Sequence, residues 1–525
     1  MRSSIAGLLV LFSVATTLHA ATDKVVCYFG SWATYRVSNG KFDVEDIDPN
    51  LCTHINYAFV GLDSTTSAVK ILDSWNDVSL KGFTRFIALR SINPNVKLLL
   101  AIGGWNEGSS AYSKMASSST TRKTFIDSIV TLLKTYGFNG LDIDWEYPTL
   151  RGGSPDDRSN FVTLLSELRT RFNTEGYLLT IAVAATKDYH RSAYDVVQIN
   201  KYVDFVNVMT YDLHAYWDAQ TGHNSPLYAA TWETGSTTSM LNLNACVQGW
   251  LDDGLDASKL VMGVPAYGHT FTLASASSNG VGARTVGAGT AGPYTLEAGL
   301  LSYLEICERL KTGYTTSWDD TQKVPYAFSG TQWISYDDAN SIALKVAYAK
   351  SKNLGGIMIW SLESDDDKNV CGGGTYPITR TVYNSVFGAS GATTTTTAKT
   401  TTTTAATTTT TAKTTTTVKT TTVAGTTTTA KTTTTTKPTT TTTTTAKTTT
   451  TTKPTTTTKA TTTTTAAAGT LVCKNGFAKD PTDCQYFYQC DTTGKAVPYW
   501  RFKCQTGLYF DDRYSYCNWA YMVPC

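Results

Sequence analysis

No Asn-x-Ser/Thr triplet occurs anywhere in the sequence, so the chain offers no acceptor for N-linked glycan. Charge is scarce: Asp, Glu, Lys and Arg make up 16% of the residues and the net charge is only +2. Nucleic-acid binding needs a basic face, and this composition does not supply one. Beyond the N-terminus no stretch approaches about 18 consecutive apolar residues, so no membrane-spanning helix is expected. No Gly-x-Gly-x-x-Gly follows the first strand-like run, which removes the dinucleotide-binding signature. The C-terminal cysteines include no Cys-x-x-Cys pair, which speaks against a zinc site there.

The segments that are present fall into four blocks along 525 residues, more than one typical domain. Residues 1–21 carry Arg2, an apolar run from Ile5 to Val14 and small residues ending near Ala20 or Ala21. This reads as a signal peptide, although Leu18 or His19 sits where a small residue is preferred. A secreted, extracellular, soluble protein is the expectation. Residues 391–469 are threonine broken by alanine, lysine and two prolines, Pro438 and Pro454. Such a segment cannot bury enough apolar surface to offset chain entropy, so it reads as a disordered linker or stalk, O-glycosylated or bare. It contains eight lysines and no acid; without them the net charge of +2 becomes −6, which suits a neutral polymer better than an anionic one.

The eleven cysteines divide unevenly. Cys27, Cys52, Cys246, Cys307 and Cys371 lie in the large block at 22–390, and the odd number leaves Cys246 as the candidate free, buried thiol. Cys473, Cys484, Cys490, Cys504, Cys517 and Cys525 crowd the last block, 470–525. In an oxidising compartment this reads as a three-disulfide framework for a domain too small to rely on its core, with spacing alone leaving the pairing open.

The large block repeats one pattern. Nearly continuous apolar runs recur at 24–30, 54–61, 97–103, 140–145, 178–185, 204–211, 260–266 and 356–360, with amphipathic stretches such as 121–136 and 159–174 between them. Eight short buried strands with helical crossovers predict the α/β class, as a (β/α)8 TIM barrel. The long interval 267–355 has room for an inserted α+β subdomain.

The chemistry concentrates in Phe138-Asn139-Gly140-Leu141-Asp142-Ile143-Asp144-Trp145-Glu146-Tyr147-Pro148. Side chains alternate along a strand, so Asp142, Asp144 and Glu146 share one face and Leu141, Ile143 and Trp145 the other. Three crowded carboxyls cannot all ionise freely, so at least one pKa should rise. A carboxyl kept protonated near neutrality is what a glycosidic oxygen needs as a general acid. A calcium site would need polar spacers, whereas these are apolar, and no other metal or cofactor is expected.

This segment resembles the FDGxDxDWEYP signature of family 18 glycoside hydrolases, the chitinases. Further matches are Cys27-Tyr28-Phe29, Trp32, Tyr35-Arg36, His54-Ile55-Asn56-Tyr57-Ala58-Phe59, Ile102-Gly103-Gly104-Trp105, Met209-Thr210-Tyr211-Asp212, Gly263-Val264-Pro265-Ala266-Tyr267-Gly268 and Trp360. The arrangement is similar to that of animal chitinases. The resemblance implies an endo-acting, monomeric enzyme on chitin and chitooligosaccharides, working through a substrate-assisted oxazolinium intermediate. Glu146 would be the acid, Asp144 would orient the acetamido group, Asp142 would lie deeper and share a proton or hydrogen bond with Asp144, and Tyr211 would hold the acetamido oxygen. Tyr28, Trp32, Gly104, Trp105, Tyr147, Met209, Asp212, Tyr267, Glu297 and Trp360 would contact the sugar chain, with the aromatics as stacking steps. Tyr28, Met209 and Met358 fit a packing role equally well. The resemblance also implies disulfides Cys27–Cys52 and Cys307–Cys371. Two departures stand out. Asn139 replaces the usual aspartate, with a bearing on pH dependence as the implied consequence, and His269 stands where several relatives have arginine. Intact Glu146 sets the chain apart from the family's lectin-like members, and a structural matrix role is the third reading.

The last block resembles the peritrophin-A type (family 14) chitin-binding module. Carried over from it, the pairings would be Cys473–Cys490, Cys484–Cys525 and Cys504–Cys517. Tyr488, Tyr509 and Trp519 are candidates for sugar stacking.

Overall fold

The computed structural model describes residues 22–388 apart from residue 236, and parts of 477–523. The signal-peptide and linker expectations lie outside the described residues. The chain divides into two units, Met1–Thr402 and Thr403–Cys525.

Eight strands form the first unit's centre: β1 (Lys24–Gly30), β2 (His54–Leu62), β3 (Lys97–Gly103), β4 (Gly140–Asp144), β5 (Leu178–Ala184), β6 (Phe205–Met209), β7 (Leu260–Pro265) and β8 (Gly356–Trp360). Every neighbour is parallel, and β8 and β2 both pair with β1, so the sheet closes. The eight apolar runs of the sequence are these strands to within a residue or two. Closure leaves two kinds of inside. Outward residues such as Leu141, Ile143 and Trp145 join the main core with Phe125 and Ile129 of α1 (Ser119–Tyr136) and Phe161 and Leu164 of α2 (Asp157–Glu175). On α1 the buried residues Arg122, Phe125, Ile126, Ile129, Val130 and Leu133 recur at three- and four-residue spacing, one stripe of a helix. The lumen is lined partly by small residues, Ala58, Ala101 and Ala182. Their size leaves the space that Tyr28, Asp142 and Met358 occupy.

Between β7 and β8 lies an antiparallel sheet of six strands. Its central strand, Tyr267–Leu273, pairs with Thr285–Ala288, Leu300–Ser302 and Gln332–Ser335, the last continuing through Val324–Ser329 to Thr315–Asp319. The helix Tyr303–Leu310 begins at a capping box of Ser302 and Glu305. Leu301, Ile306, Ala327 and Ile334 form one small core and Phe271, Leu273 and Trp333 another. This is the inserted subdomain; the helix Ala339–Ser351 then returns the chain to β8. Disulfides join Cys27 to Cys52 and Cys307 to Cys371, and Cys246 is free, its thiol pushed up to about 12 by burial.

The second unit contains a sheet of Phe477–Lys479, Tyr486–Cys490 and Ala496–Lys503 and a hairpin of Leu508–Asp511 with Tyr516–Trp519. Phe487 and Phe510 stack with ring centroids 4.4 Å apart. Cys484 and Cys504 are disulfide-bonded, and each of the expected pairings, Cys473–Cys490, Cys484–Cys525 and Cys504–Cys517, has at least one side chain outside the described residues. Among the described residues no helix is long and apolar enough to cross a membrane.

Candidate active site

Asp142 sits inside the barrel, fully buried, and three side chains from other strands hold it. Tyr28 of β1 donates to Oδ2 at 2.6 Å, Thr180 of β5 to Oδ1 at 2.5 Å and Asn207 of β6 to Oδ1 at 3.1 Å. Burial raises its pKa to about 6 against the pull of these donors. The expected hydrogen bond between Asp142 and Asp144 is not formed. Tyr28, Thr180 and Asn207 already satisfy Asp142, and the two carboxyls meet only through charge. Asp144, next on the same face, is buried with Oδ1 lacking any partner among the described residues. Burial, then the charges of Glu146 and Asp142, drive its pKa well above the ordinary value. Glu146 completes the ladder just past the end of β4. Burial raises it to about 7, opposed by a Tyr147 hydrogen bond and the Arg151 charge and assisted by Asp212. A carboxyl poised there holds its proton at neutrality and can still release it.

The backbone around the ladder explains the double glycine. Gly103 has φ 119°, and a Cβ there would lie 2.0 Å from the Asp144 carbonyl oxygen. Gly104 donates its N–H to that same oxygen at 2.9 Å. The strand before Trp105 can therefore approach β4 only as glycine.

Aromatic rings floor the opening. Trp360, at the end of β8, meets Tyr28 at 5.3 Å and stacks on Phe59 at 5.8 Å, and Phe59 in turn stacks on Trp32 at 6.2 Å. Trp32 and Trp105 are 42% and 59% exposed, far beyond what a core role requires. Their expected stacking faces are thus open to a ligand. Tyr147 packs edge-on against the exposed Tyr189 at 5.8 Å.

Opposite lies a polar cluster. Tyr211 is buried, its hydroxyl turned to the Met358 sulfur at 3.7 Å, a weak acceptor. A Cβ on Gly263 would come within 2.9 Å of the Tyr211 ring and 3.0 Å of Met358, so the strand β7 must carry glycine there. Asp212 has φ 56°, a left-handed conformation that aspartate tolerates, and its N–H donates to Asn224 Oδ1 at 2.8 Å. Its Oδ1 accepts from Tyr267 at 2.5 Å and lies 2.7 Å from His269 Nε2. Partial burial pushes the Asp212 carboxyl up, but the His269 and Tyr267 contacts hold it below the usual range. Burial opposes a charge on His269, yet Asp212 raises its pKa above the ordinary value. The position that departs from arginine thus still presents Asp212 with a group whose charged form that carboxyl favours. Glu297, from the inserted subdomain, is exposed; burial of part of its side chain raises its pKa, against the His269 charge and with that of Asp212. Met209 is half-buried at the edge of the lumen.

Asn139 does something other than tune the carboxylates. Its Oδ1 accepts from Leu98 N at 2.8 Å and Arg90 Nη2 at 2.6 Å, at the far end of β4 from Glu146. It fixes strand register there. Sequence reasoning missed Thr180, Asn207, Asn224, Phe59 and the 61%-exposed Trp217, whose ring lies 5.5 Å from His269. Phe59 lay in a matched motif without being assigned a role, and Trp217 had a weak signal as an aromatic shortly after Tyr211-Asp212. In the second unit Tyr488 and Tyr509 are half-buried, and the Trp519 side chain lies outside the described residues.

Fold and site together define a class, the (β/α)8-barrel glycoside hydrolases, in which carboxyls at the C-terminal strand ends face an aromatic-lined opening. Within it the chain belongs to the glycosyl hydrolases family 18, matched over residues 24–365. Residues 473–525 match the chitin binding Peritrophin-A domain. A crystal structure of Ostrinia furnacalis Group IV chitinase is 46% identical, with TM-score 0.68, covering 69% of this chain and 99% of that one. Chitotriosidase-1 of Mus musculus is 42% identical over 373 residues, 68% of this chain and 77% of the relative. Probable chitinase 10 of Drosophila melanogaster is 41% identical over 376 residues, 70% of this chain, which spans only 16% of that longer protein.

Proposed function

We propose that the protein is a secreted, endo-acting chitinase that hydrolyses β-1,4 links between N-acetylglucosamine units with retention, and that its C-terminal module holds it on solid chitin. One observation carries the reading: Glu146, a buried carboxyl with a pKa near 7, stands beside Asp144, whose Oδ1 has no partner among the described residues. Glu146 protonates the leaving glycosidic oxygen. The acetamido oxygen of the same sugar attacks C1 as the C–O bond breaks, closing a five-membered oxazolinium ring. Asp144 accepts the acetamido N–H on its free oxygen and stabilises the positive charge that develops there. Tyr211 exchanges its Met358 contact for the acetamido oxygen. Water then opens the ring at C1 while Glu146 takes its proton back, so configuration is retained. Trp360 floors the cleavage position, with Trp32 and Trp105 on either flank.

The reading is tested by reporter release from a chitotriose glycoside. Glu146→Gln should fold and bind as the parent does but lose about a hundred- to ten-thousand-fold in rate. A variant keeping more than about a tenth of the parental rate would remove Glu146 from the reaction.

A further inference from the structure

Arg151 lies in the loop after β4, five positions beyond Glu146, and its guanidinium covers the Trp105 ring with Cζ 3.5 Å from the ring centroid. Its Nη1 donates to two carbonyl oxygens, that of Trp105 at 2.8 Å and that of Glu146 at 2.9 Å. Its own carbonyl accepts from Ser109 N at 3.3 Å, on the segment that follows Trp105. Trp105 has few other supports. It opens a three-residue turn between Gly104 and Gly108, both at positive φ, and among the described residues no aromatic ring stacks on it. A flat guanidinium pressed on one indole face leaves the other for a sugar, and five fixed donors let one side chain brace a ring and two carbonyls at once.

We propose that Arg151 is a positioning residue that fixes Trp105 as a sugar platform and ties that platform to the segment bearing Glu146. The proposal rests on the reading of Glu146 as the acid and of Trp105 as a stacking step. Arg151 also places a charge near the Glu146 carboxyl that favours its ionised form.

The test separates the platform from the acid. In a Glu146→Gln background, which needs no turnover, chitohexaose affinity is measured by titration calorimetry. Arg151→Gln should weaken binding about three- to fivefold, and adding it to Trp105→Ala should cost nothing further, because it acts through that ring. Arg151→Lys keeps the charge but not the flat fork, so it should bind as poorly as Arg151→Gln. In otherwise parental enzyme, Arg151→Gln should move the alkaline limb of kcat/KM to higher pH, since the acid then holds its proton longer, and Arg151→Lys should not. Unchanged affinity in Arg151→Gln would overturn the proposal, as would losses that add in full with Trp105→Ala. So would a lowered melting temperature shared by both Arg151 variants with affinity intact, which marks a merely structural role. If Glu146→Gln itself stays active, the acid assignment falls, and the KM for chitohexaose in the Arg151 variants, with and without Trp105→Ala, decides the role of Arg151 instead.

Discussion

Tyr28 and Asp142, on strands three places apart in the barrel wall, are joined across the lumen by a 2.6 Å hydrogen bond. With Thr180 and Asn207 also on Asp142, the deepest carboxyl of the ladder is held by three strands besides its own. Tyr28→Phe removes one of these donors and keeps the ring that Trp360 packs against. Losing a hydrogen bond to a buried carboxylate costs about 1–3 kcal/mol. The Asp142 carboxyl should rise beyond about 6 and be neutral over more of the working range. Less negative charge would then face the proposed oxazolinium. We expect kcat to fall roughly tenfold with only a few degrees of melting temperature lost. Parental kcat in Tyr28→Phe would reduce the Tyr28 contact to packing.

The strands and the carboxylate ladder were legible because they are local. A period-two alternation states which face Asp142 and Glu146 share, and eight apolar runs give the closed sheet. What holds the ladder was not legible. Thr180 and Asn207 read as ordinary strand residues, since their contacts with Asp142 span 38 and 65 positions of sequence. Asn139 misled for the opposite reason: adjacency to the motif suggested an electrostatic role, whereas the strand carries it to the other end of the barrel. Asn224 and Phe59 acquire meaning only when segments distant in sequence meet, Asn224 at Asp212 and Phe59 of β2 at Trp360 of β8.

His269 offers a second handle on pH dependence. It lies 2.7 Å from Asp212, and Asp212 in turn raises Glu146. His269→Gln removes the only titratable base in contact with Asp212 among the described residues and leaves the Asp212 charge less compensated. An uncompensated negative charge favours the protonated acid, so the Glu146 pKa should move above about 7. In the proposed reaction Glu146 acts protonated, so the alkaline limb of kcat/KM should move to higher pH in His269→Gln. Movement to lower pH would contradict the coupling.

The chitin-binding match at residues 473–525 predicts a division of labour. A chain ended near Gly391 keeps every residue of the barrel site, so turnover of soluble chitooligosaccharides should stay within about twofold of the full chain. Action on particulate chitin should fall about tenfold or more, because tethering raises the local concentration of enzyme at a solid surface. Equal binding to and digestion of particulate chitin by both chains would show that residues 470–525 are not a tether.

Substrate assistance is open to a direct chemical test. In a retaining enzyme with two carboxylates, the nucleophile sits about 5–5.5 Å from the acid and attacks C1 from the face opposite the leaving group. Here Asp144 and Glu146 are alternate residues at the end of one strand and flank the same side of the opening. Asp142 is sealed below them by Tyr28, Thr180 and Asn207. On the proposed reading none of the three attacks C1 from the opposite face, and the acetamido oxygen of the substrate does so instead. Two consequences follow from that oxygen being the nucleophile. Fully deacetylated glucosamine polymer should not be cleaved appreciably, because an amine offers no carbonyl oxygen to close the ring. A thiazoline mimic of the cyclic intermediate should inhibit competitively, and Asp144→Asn, with an amide facing the acetamido N–H, should bind it less tightly. Rapid cleavage between two deacetylated units, or recovery of a glycosyl ester on an aspartate or glutamate after quenching, would instead place the nucleophile on the protein. Tyr211 would then lose its task as well, since the oxygen it is proposed to hold would take no part in the reaction.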